Sequence, residues 1–212
     1  MTQLILRCRL NWEQQTVRIV GGKFRGRGLA VPADQAIRPT SDRVREAVFN
    51  VLLHGPLADG LAAVRVLDLF AGTGALGLEA ISRGAAYALF VEENAEARGL
   101  IRKNIEAFGL TGCTRIFRRD ATDLGPAAQL GQFGLVFLDP PYGKGLADKA
   151  LTSLVRGGWL TPGAVLVVEE RVGVAVDLPD GMTEIGRRTY GDTQVLVLHQ
   201  SVRCRGDGTS SA

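Results

Sequence analysis

Two short runs carry residues able to do chemistry: Asp68-Leu69-Phe70-Ala71-Gly72-Thr73-Gly74 and, about seventy residues later, Asp139-Pro140-Pro141-Tyr142. In the first, glycines after an acid mark a tight strand-to-helix turn, where missing Cβ atoms let a ligand approach the backbone. In the second, an acid and a carbonyl are set in a stiff turn, since proline fixes φ and removes an N–H that would compete for acceptors. Two acceptors about 3 Å from the hydrogens of an exocyclic amine would draw its delocalised lone pair toward tetrahedral geometry. Asp139 Oδ and the Pro140 carbonyl suit that task, and Tyr142 can stack on a base. Such catalysis is orientation and electrostatics, with no strong base required.

Gly72-x-Gly74-x-x-Gly77 also matches a dinucleotide fingerprint, which makes a nicotinamide enzyme the first rival. In dinucleotide sites the first glycine comes directly off an apolar strand, and helix N–H groups face a pyrophosphate. Here Asp68 ends the strand four residues before Gly72. A carboxylate there suits a ligand carrying an ammonium group and a sulfonium, and S-adenosylmethionine carries both. Glu92 lies 24 residues after Asp68, near the roughly 20-residue spacing of acids that bind ribose hydroxyls. Glu93 competes for that role; Glu92 lies nearer the strand end and is preferred. Asp120, in Arg118-Arg119-Asp120-Ala121, follows a third strand, where it serves either as acceptor for an adenine amino group or as a cap or surface acid. Gly143-Lys144-Gly145 adds a mobile basic edge suited to a phosphate.

The elements that must position these residues follow from periodicity. Val17–Val20 and Gly26–Pro32 read as a small hairpin around Gly21-Gly22, carrying Arg18, Lys23, Arg25 and Arg27. Thr40 or Ser41 caps a helix over about 42–54, with Val44, Val48, Val51 and Leu52 on one face and Arg43, Arg45 and Asn50 elsewhere. Strands are expected at 64–69, 87–91, 114–118, 135–138 and 165–168, with helices over about 75–83, 94–108 and 146–156. A closing hairpin pairs 183–190 with 194–198 across Gly191-Asp192. Alternating β and α implies a parallel sheet covered on both faces, with an antiparallel C-terminal edge. Residues 1–16 read as a loose extension, and 203–212 as a disordered tail.

A chain of 212 residues accommodates one full α/β domain and a small appendage. The divisions expected are a basic segment over 17–56 and a catalytic domain over 57–202. No apolar run approaches the roughly 18–20 residues that span a bilayer. Cys8, Cys113 and Cys204 form no C-x-x-C pair and stand with only His54 and His199, so neither a structural zinc site nor a disulfide framework is expected. Residues 1–56 hold nine Lys/Arg against four Asp/Glu, whereas the remainder is slightly acidic. Positive charge concentrated ahead of the catalytic domain suits a polyanion, or else is a solvated face.

The glycine loop, Glu92 and the Asp-Pro-Pro-Tyr run together resemble class I amino-methyltransferases. Arg18-Ile19-Val20-Gly21-Gly22-Lys23-Phe24-Arg25-Gly26-Arg27 and the run from Arg38 to Asn50 are narrower: with them the chain resembles the bacterial RsmD family, the 16S ribosomal RNA guanine-966 N2-methyltransferases, over about residues 17–200. The resemblance implies a Rossmann-like class I fold, S-adenosylmethionine as donor, and 16S rRNA in the small ribosomal subunit as partner. It places Asp68, Phe70, Gly72, Gly74, Glu92, Asp120 and Ala121 at the cofactor, and Asp139, Pro140, Pro141 and Tyr142 at the base. Arg18, Lys23, Arg25, Arg27, Arg38, Arg43, Arg45 and Lys144 would grip RNA. A cytoplasmic monomer without metal or membrane attachment is expected. The rivals are an adenine-N6 methyltransferase on DNA or RNA, a protein-glutamine methyltransferase, and a non-catalytic RNA-binding assembly module.

Overall fold

Runs rich in Val, Leu and Phe alternate with helices closed by glycine, and in the computed structural model they assemble into one seven-stranded sheet. The structure describes residues 17–32 and 42–201. The expectations for 1–16, for 203–212, for the Thr40 or Ser41 cap and for Arg38 lie outside the described residues. In chain order the elements are α1 (Asp42–Leu53), β1 (Arg65–Leu69), α2 (Ala75–Ser82), β2 (Tyr87–Val91), α3 (Ala95–Phe108), β3 (Thr114–Phe117), β4 (Phe133–Leu138), α4 (Leu146–Gly157), β5 (Leu160–Arg171), β6 (Met182–Tyr190) and β7 (Thr193–Gln200).

The sheet order is β3-β2-β1-β4-β5-β7-β6. The first five strands of that order run parallel, and β7 is antiparallel to both β5 and β6. This is the Rossmann-like, mostly parallel sheet with an antiparallel C-terminal edge that the sequence implies. Helices α1, α2 and α3 cover one face, where Phe49 meets Phe137 at 5.5 Å between ring centroids. Helix α4 covers the other face, around Trp159 and Phe133. With both faces covered, β2 and β4 carry almost unbroken apolar side chains, and β1 does so apart from Arg65 and Asp68. The order reverses between β1 and β4, and ligands of open α/β sheets bind outside the carboxyl ends of the strands at such a switch point.

The N-terminal segment makes a return rather than a laddered hairpin. Among the described residues it forms a single bridge, Arg18 with Gly28, flanked by Leu29 N donating to Val17 O and Ile19 N to Arg27 O, and closed by a 3-10 turn over Gly22–Phe24. Val17, Ile19, Phe24 and Leu29 sink into the same core as α1 and α2. Gly22 adopts φ +73° where a Cβ would overlap the Ser82 carbonyl, which accounts for glycine there. Asn104, buried on α3, accepts from Ala30 N at 2.7 Å and donates to Ala30 O at 3.2 Å and to Thr73 O at 3.0 Å, so the same amide ties this segment to the glycine loop.

Two expectations about elements need correction. Strand β5 starts at Leu160 rather than near 165, because Pro162-Gly163 sits in a register irregularity within the strand instead of breaking it. Arg45 does not point away from the α1 core face. The buried residues of α1 are Arg45, Val48, Phe49 and Leu52, an i, i+3, i+4, i+7 stripe on which Arg45 is the first member.

Candidate active site

The site is built from the carboxyl ends of adjacent strands. Leu69 pairs with Val91 of β2 and with Leu138 of β4. The residues that follow, Phe70, Glu92 and Asp139, therefore leave three neighbouring strand ends side by side. Phe117 of β3 pairs with Val91 on the far side, and its carbonyl accepts from Glu92 N. Phe70, Glu92, Asp120, Ala121 and Pro141 line one cleft of about 460 Å³ there. Asp68, Gly72, Gly74, Asp139 and Tyr142 are not among the residues that line it. A larger cleft of about 610 Å³ lies beside α4 and shares only Thr122 with the first; it holds none of the residues that the sequence singles out.

Asp68 is 2% exposed, and its Oδ2 accepts from Gly77 N at 2.9 Å across the strand-to-helix turn. A Cβ on Gly77 would meet the Phe90 ring and Asp68 Oδ2; close helix–strand packing thus demands glycine at the third position of the fingerprint. Burial pushes the Asp68 carboxyl well above the usual carboxylate range. The Gly77 N–H draws it back in part, and the negative charges of Asp139 and Glu92 raise it further. Among the described residues no cation is paired with it. Phe70 sits at φ 57°, a left-handed conformation that costs a non-glycine residue of order 1–3 kcal/mol and clusters at ligand sites.

Glu92 turns toward the glycine loop, its Oε2 accepting from Gly72 N at 2.9 Å and its Oε1 from Asn94 N at 2.8 Å. Asp120 is exposed, and its Oδ1 accepts from the backbone N and hydroxyl of Thr122. That local turn leaves Oδ2 as the remaining acceptor on a residue that lines the cleft.

At the Pro-Pro turn, Asp139 is half-buried, Pro140 is buried and Pro141 is exposed on the cleft. The Tyr142 hydroxyl donates to Glu169 Oε1 at 2.9 Å and lies 3.1 Å from Thr193 Oγ1. Burial, followed by the neighbouring Glu169 and Asp139 charges, holds this phenol above its ordinary range, so it remains a donor. Gly143 N donates to Glu170 Oε1 at 3.0 Å. Glu169 and Glu170 escaped the sequence reading. Their signal was two adjacent acids closing an otherwise apolar strand, Val165-Leu166-Val167-Val168.

The cations divide sharply. Arg45 is fully buried, ion-paired with Asp42 at 2.7 Å and Glu79 at 3.6 Å, and bonded to the Arg18 carbonyl. It is corrected from an RNA contact to an internal strut, because its guanidinium has no path to a phosphate. Arg18 is exposed and pairs with Asp42 at 3.3 Å. Arg27 lies over the Phe108 ring at 4.3 Å and donates to Ala107 O. Lys23, Arg25, Arg43 and Lys144 are exposed.

Comparison with known proteins bears on this geometry. The family model described as Conserved hypothetical protein 95 matches residues 17–199. The chain is 40% identical over 157 residues to Ribosomal RNA small subunit methyltransferase D of Escherichia coli K12, covering 74% of this chain and 75% of that protein. It is 33% identical over 177 residues to the Haemophilus influenzae protein of the same name, covering 82% and 89%. The solved structure of yhhF from Escherichia coli superposes with a TM-score of 0.74 at 33% identity, covering 89% of this chain and 99% of that one.

Proposed function

The chain belongs to the Conserved hypothetical protein 95 family, the RsmD family, and is a methyltransferase; from that premise we propose that it methylates the exocyclic N2 of a guanine in 16S rRNA of the small ribosomal subunit, with S-adenosylmethionine as donor. One juxtaposition carries the reading: Leu69 pairs with both Val91 and Leu138, which sets Glu92, Phe70 and the Asp139 turn in a row. A donor held by the Phe70 and Glu92 strand ends would lie beside an amine held at the Asp139 turn. The relatives' shared name, with its ribosomal RNA substrate, supports the choice of RNA.

The residues present fit the donor. Asp68 is a buried carboxylate with two further acids nearby, an environment short of a cation. Asp68 would take the donor's ammonium end, Glu92 the ribose hydroxyls, and Asp120 with Ala121 the adenine, while Phe70, Gly72 and Gly74 shape the turn against it. When bound, S-adenosylmethionine supplies an electrophilic methyl on a sulfonium. Asp139 Oδ and the Pro140 carbonyl accept the amine hydrogens and aim the nitrogen lone pair. Held in this way, the amine nitrogen would take that methyl while the carbon–sulfur electron pair stayed with sulfur, and no further reactant would be needed. One amine proton then leaves through Asp139 to water. Pro141 and Tyr142 complete the wall against which the base is held. Lys23, Arg25, Arg43 and Lys144 supply phosphate contacts, with Arg18 and Arg27 beside them.

The test is to incubate the protein and labelled donor with small subunits from a strain lacking the family's enzyme, then locate the methyl group by nuclease digestion and mass. One methyl per subunit on guanine N2 is expected. Label on adenine N6, or none in RNA, overturns the reading.

A further inference from the structure

The Asp139–Tyr142 turn is poor in backbone donors. Its two prolines donate no backbone N–H, it ends in Gly143 at φ +71° and Gly145 at φ +61°, and it must nevertheless hold two acceptors to a fraction of an ångström. The strand next to β4 supplies acceptors to it. Leu138 pairs with Val168, so the next two residues of β5, Glu169 and Glu170, run alongside the turn. Successive side chains of a strand point to opposite faces. Glu169 receives the Tyr142 hydroxyl on one face and Glu170 receives the Gly143 amide on the other. Both carboxylates are withdrawn from water, at 7% and 1% exposure. Buried acids that accept hydrogen bonds from a functional loop are costly to keep without a purpose.

We propose that Glu169 and Glu170 are positioning residues for methyl transfer, gripping the Asp139–Tyr142 turn from opposite faces of the sheet so that its acceptors stay aimed. The proposal rests on the reading above that this turn presents the amine. Glu169 acts through the Tyr142 ring, whose tip is fixed between Glu169 and Thr193. Glu170 acts through the backbone, one oxygen accepting from both Gly143 N and Arg171 N. Neither carboxylate lines the cofactor cleft, so their loss should leave donor affinity alone.

Glu169→Ala is expected to lower kcat by about tenfold to a hundredfold, the effect of a misplacement near 1 Å, with donor Kd and substrate KM within twofold of wild type. Glu169→Gln retains an oxygen acceptor for the Tyr142 hydroxyl and should restore most of the rate. Tyr142→Phe removes the same hydrogen bond, so the double variant should be no slower than the slower single variant. For Glu170→Ala the readout is hydrogen exchange at the Gly143 amide, expected to rise at least tenfold on the intact protein without substrate. That readout keeps the grip separate from the function. If the wild type methylates no RNA, the functional reading fails while the exchange result still decides the brace. Normal kcat per folded molecule in Glu169→Ala, failure of Glu169→Gln to rescue, or unchanged Gly143 exchange in Glu170→Ala would overturn the proposal. A lowered melting temperature with an unaltered kcat would do the same, since it marks a merely structural role.

Discussion

Glu79→Ala tests whether the N-terminal segment is held to the catalytic body by buried charge. Glu79, on α2, is fully buried; it accepts from Val20 N at 2.8 Å and pairs with Arg83 at 2.6 Å and Arg45 at 3.6 Å. Breaking a buried pair from one side costs about 3–5 kcal/mol because the surviving charge stays desolvated. Two features place this case at the lower end. Arg45 keeps Asp42 at 2.7 Å, and Arg83, at 13% side-chain exposure, can turn toward water. The expected loss is therefore about 3 kcal/mol, including the stranded Val20 N–H. For a chain of this size each kcal/mol moves the melting temperature by about 2–4 °C, which gives a fall of roughly 6–12 °C. Urea unfolding followed by circular dichroism measures the free energy directly. Glu79→Gln keeps an acceptor for Val20 N and should fall between wild type and alanine. A loss below about 1 kcal/mol for alanine would refute the reasoning, because buried pairs broken on one side do not cost so little.

Asp139→Ala should leave donor affinity nearly unchanged while lowering the methylation rate by about two orders of magnitude or more, the usual effect of deleting one preorganised group; near-normal turnover would reduce the turn to a loop. Replacing Arg25, Arg43 and Lys144 by Ala should weaken RNA binding and flatten its log–log salt dependence by roughly 0.7 per lost single-strand contact, with cofactor binding untouched; an unchanged slope would make these a solvated face. Donor binding should release protons through Asp68. Its carboxyl is raised by burial in the free protein, and a bound cation favours the ionised form. Affinity should therefore rise with pH up to the free-protein value and level off above it. Calorimetry in buffers of different ionisation enthalpy reads the release, and Asp68→Asn should abolish it. The same raised carboxyl adds stability at low pH that is lost as pH climbs through its folded value, so Asp68→Asn should flatten that dependence too.

Most of the sheet was legible because its strands are short apolar runs bounded by turn residues. Strand β2 falls on 87–91 as expected, and α3 ends at Phe108 with Gly109 at φ 69° as its cap. The strand-end acids were legible for the same reason, although the strand of Asp68 runs one residue further, to Leu69, while Glu92 follows its strand directly. The N-terminal return was legible only in outline. Its fit depends on Ser82, Glu79 and Asn104, residues 58 to 74 positions away, and no local pattern announces them. Glu169 and Glu170 were missed because two acids at a strand end read as solvent-facing. Only the pairing of β4 with β5 puts them under the turn.

Arg45 shows why a charge count overstates an interface. The segment 1–56 has an excess of five positive charges, and a polyanion site follows if each one faces solvent. Folding consumes part of that excess. Arg45 is sealed inside, where its work is to hold Glu79 and the Arg18 carbonyl. Arg18 shares Asp42, and Arg27 spends its guanidinium on the Phe108 ring and the Ala107 carbonyl. Among the described residues, Arg25 and Arg43 remain as exposed cations of this segment, with Lys23 near the Phe24 ring. The same folding leaves Lys144 exposed between two cleft-lining residues, Pro141 and Leu146, beyond the segment where the sequence concentrates charge. Among the described residues the electrostatic footprint is therefore narrower in the segment than a count of its charges implies, and Lys144 extends it beyond the segment. Since each phosphate contact contributes a fixed increment to the salt slope, that difference is measurable. Arg45→Met, a size-matched apolar replacement, should leave the RNA salt slope as it is, whereas Arg25→Ala and Arg43→Ala should each reduce it.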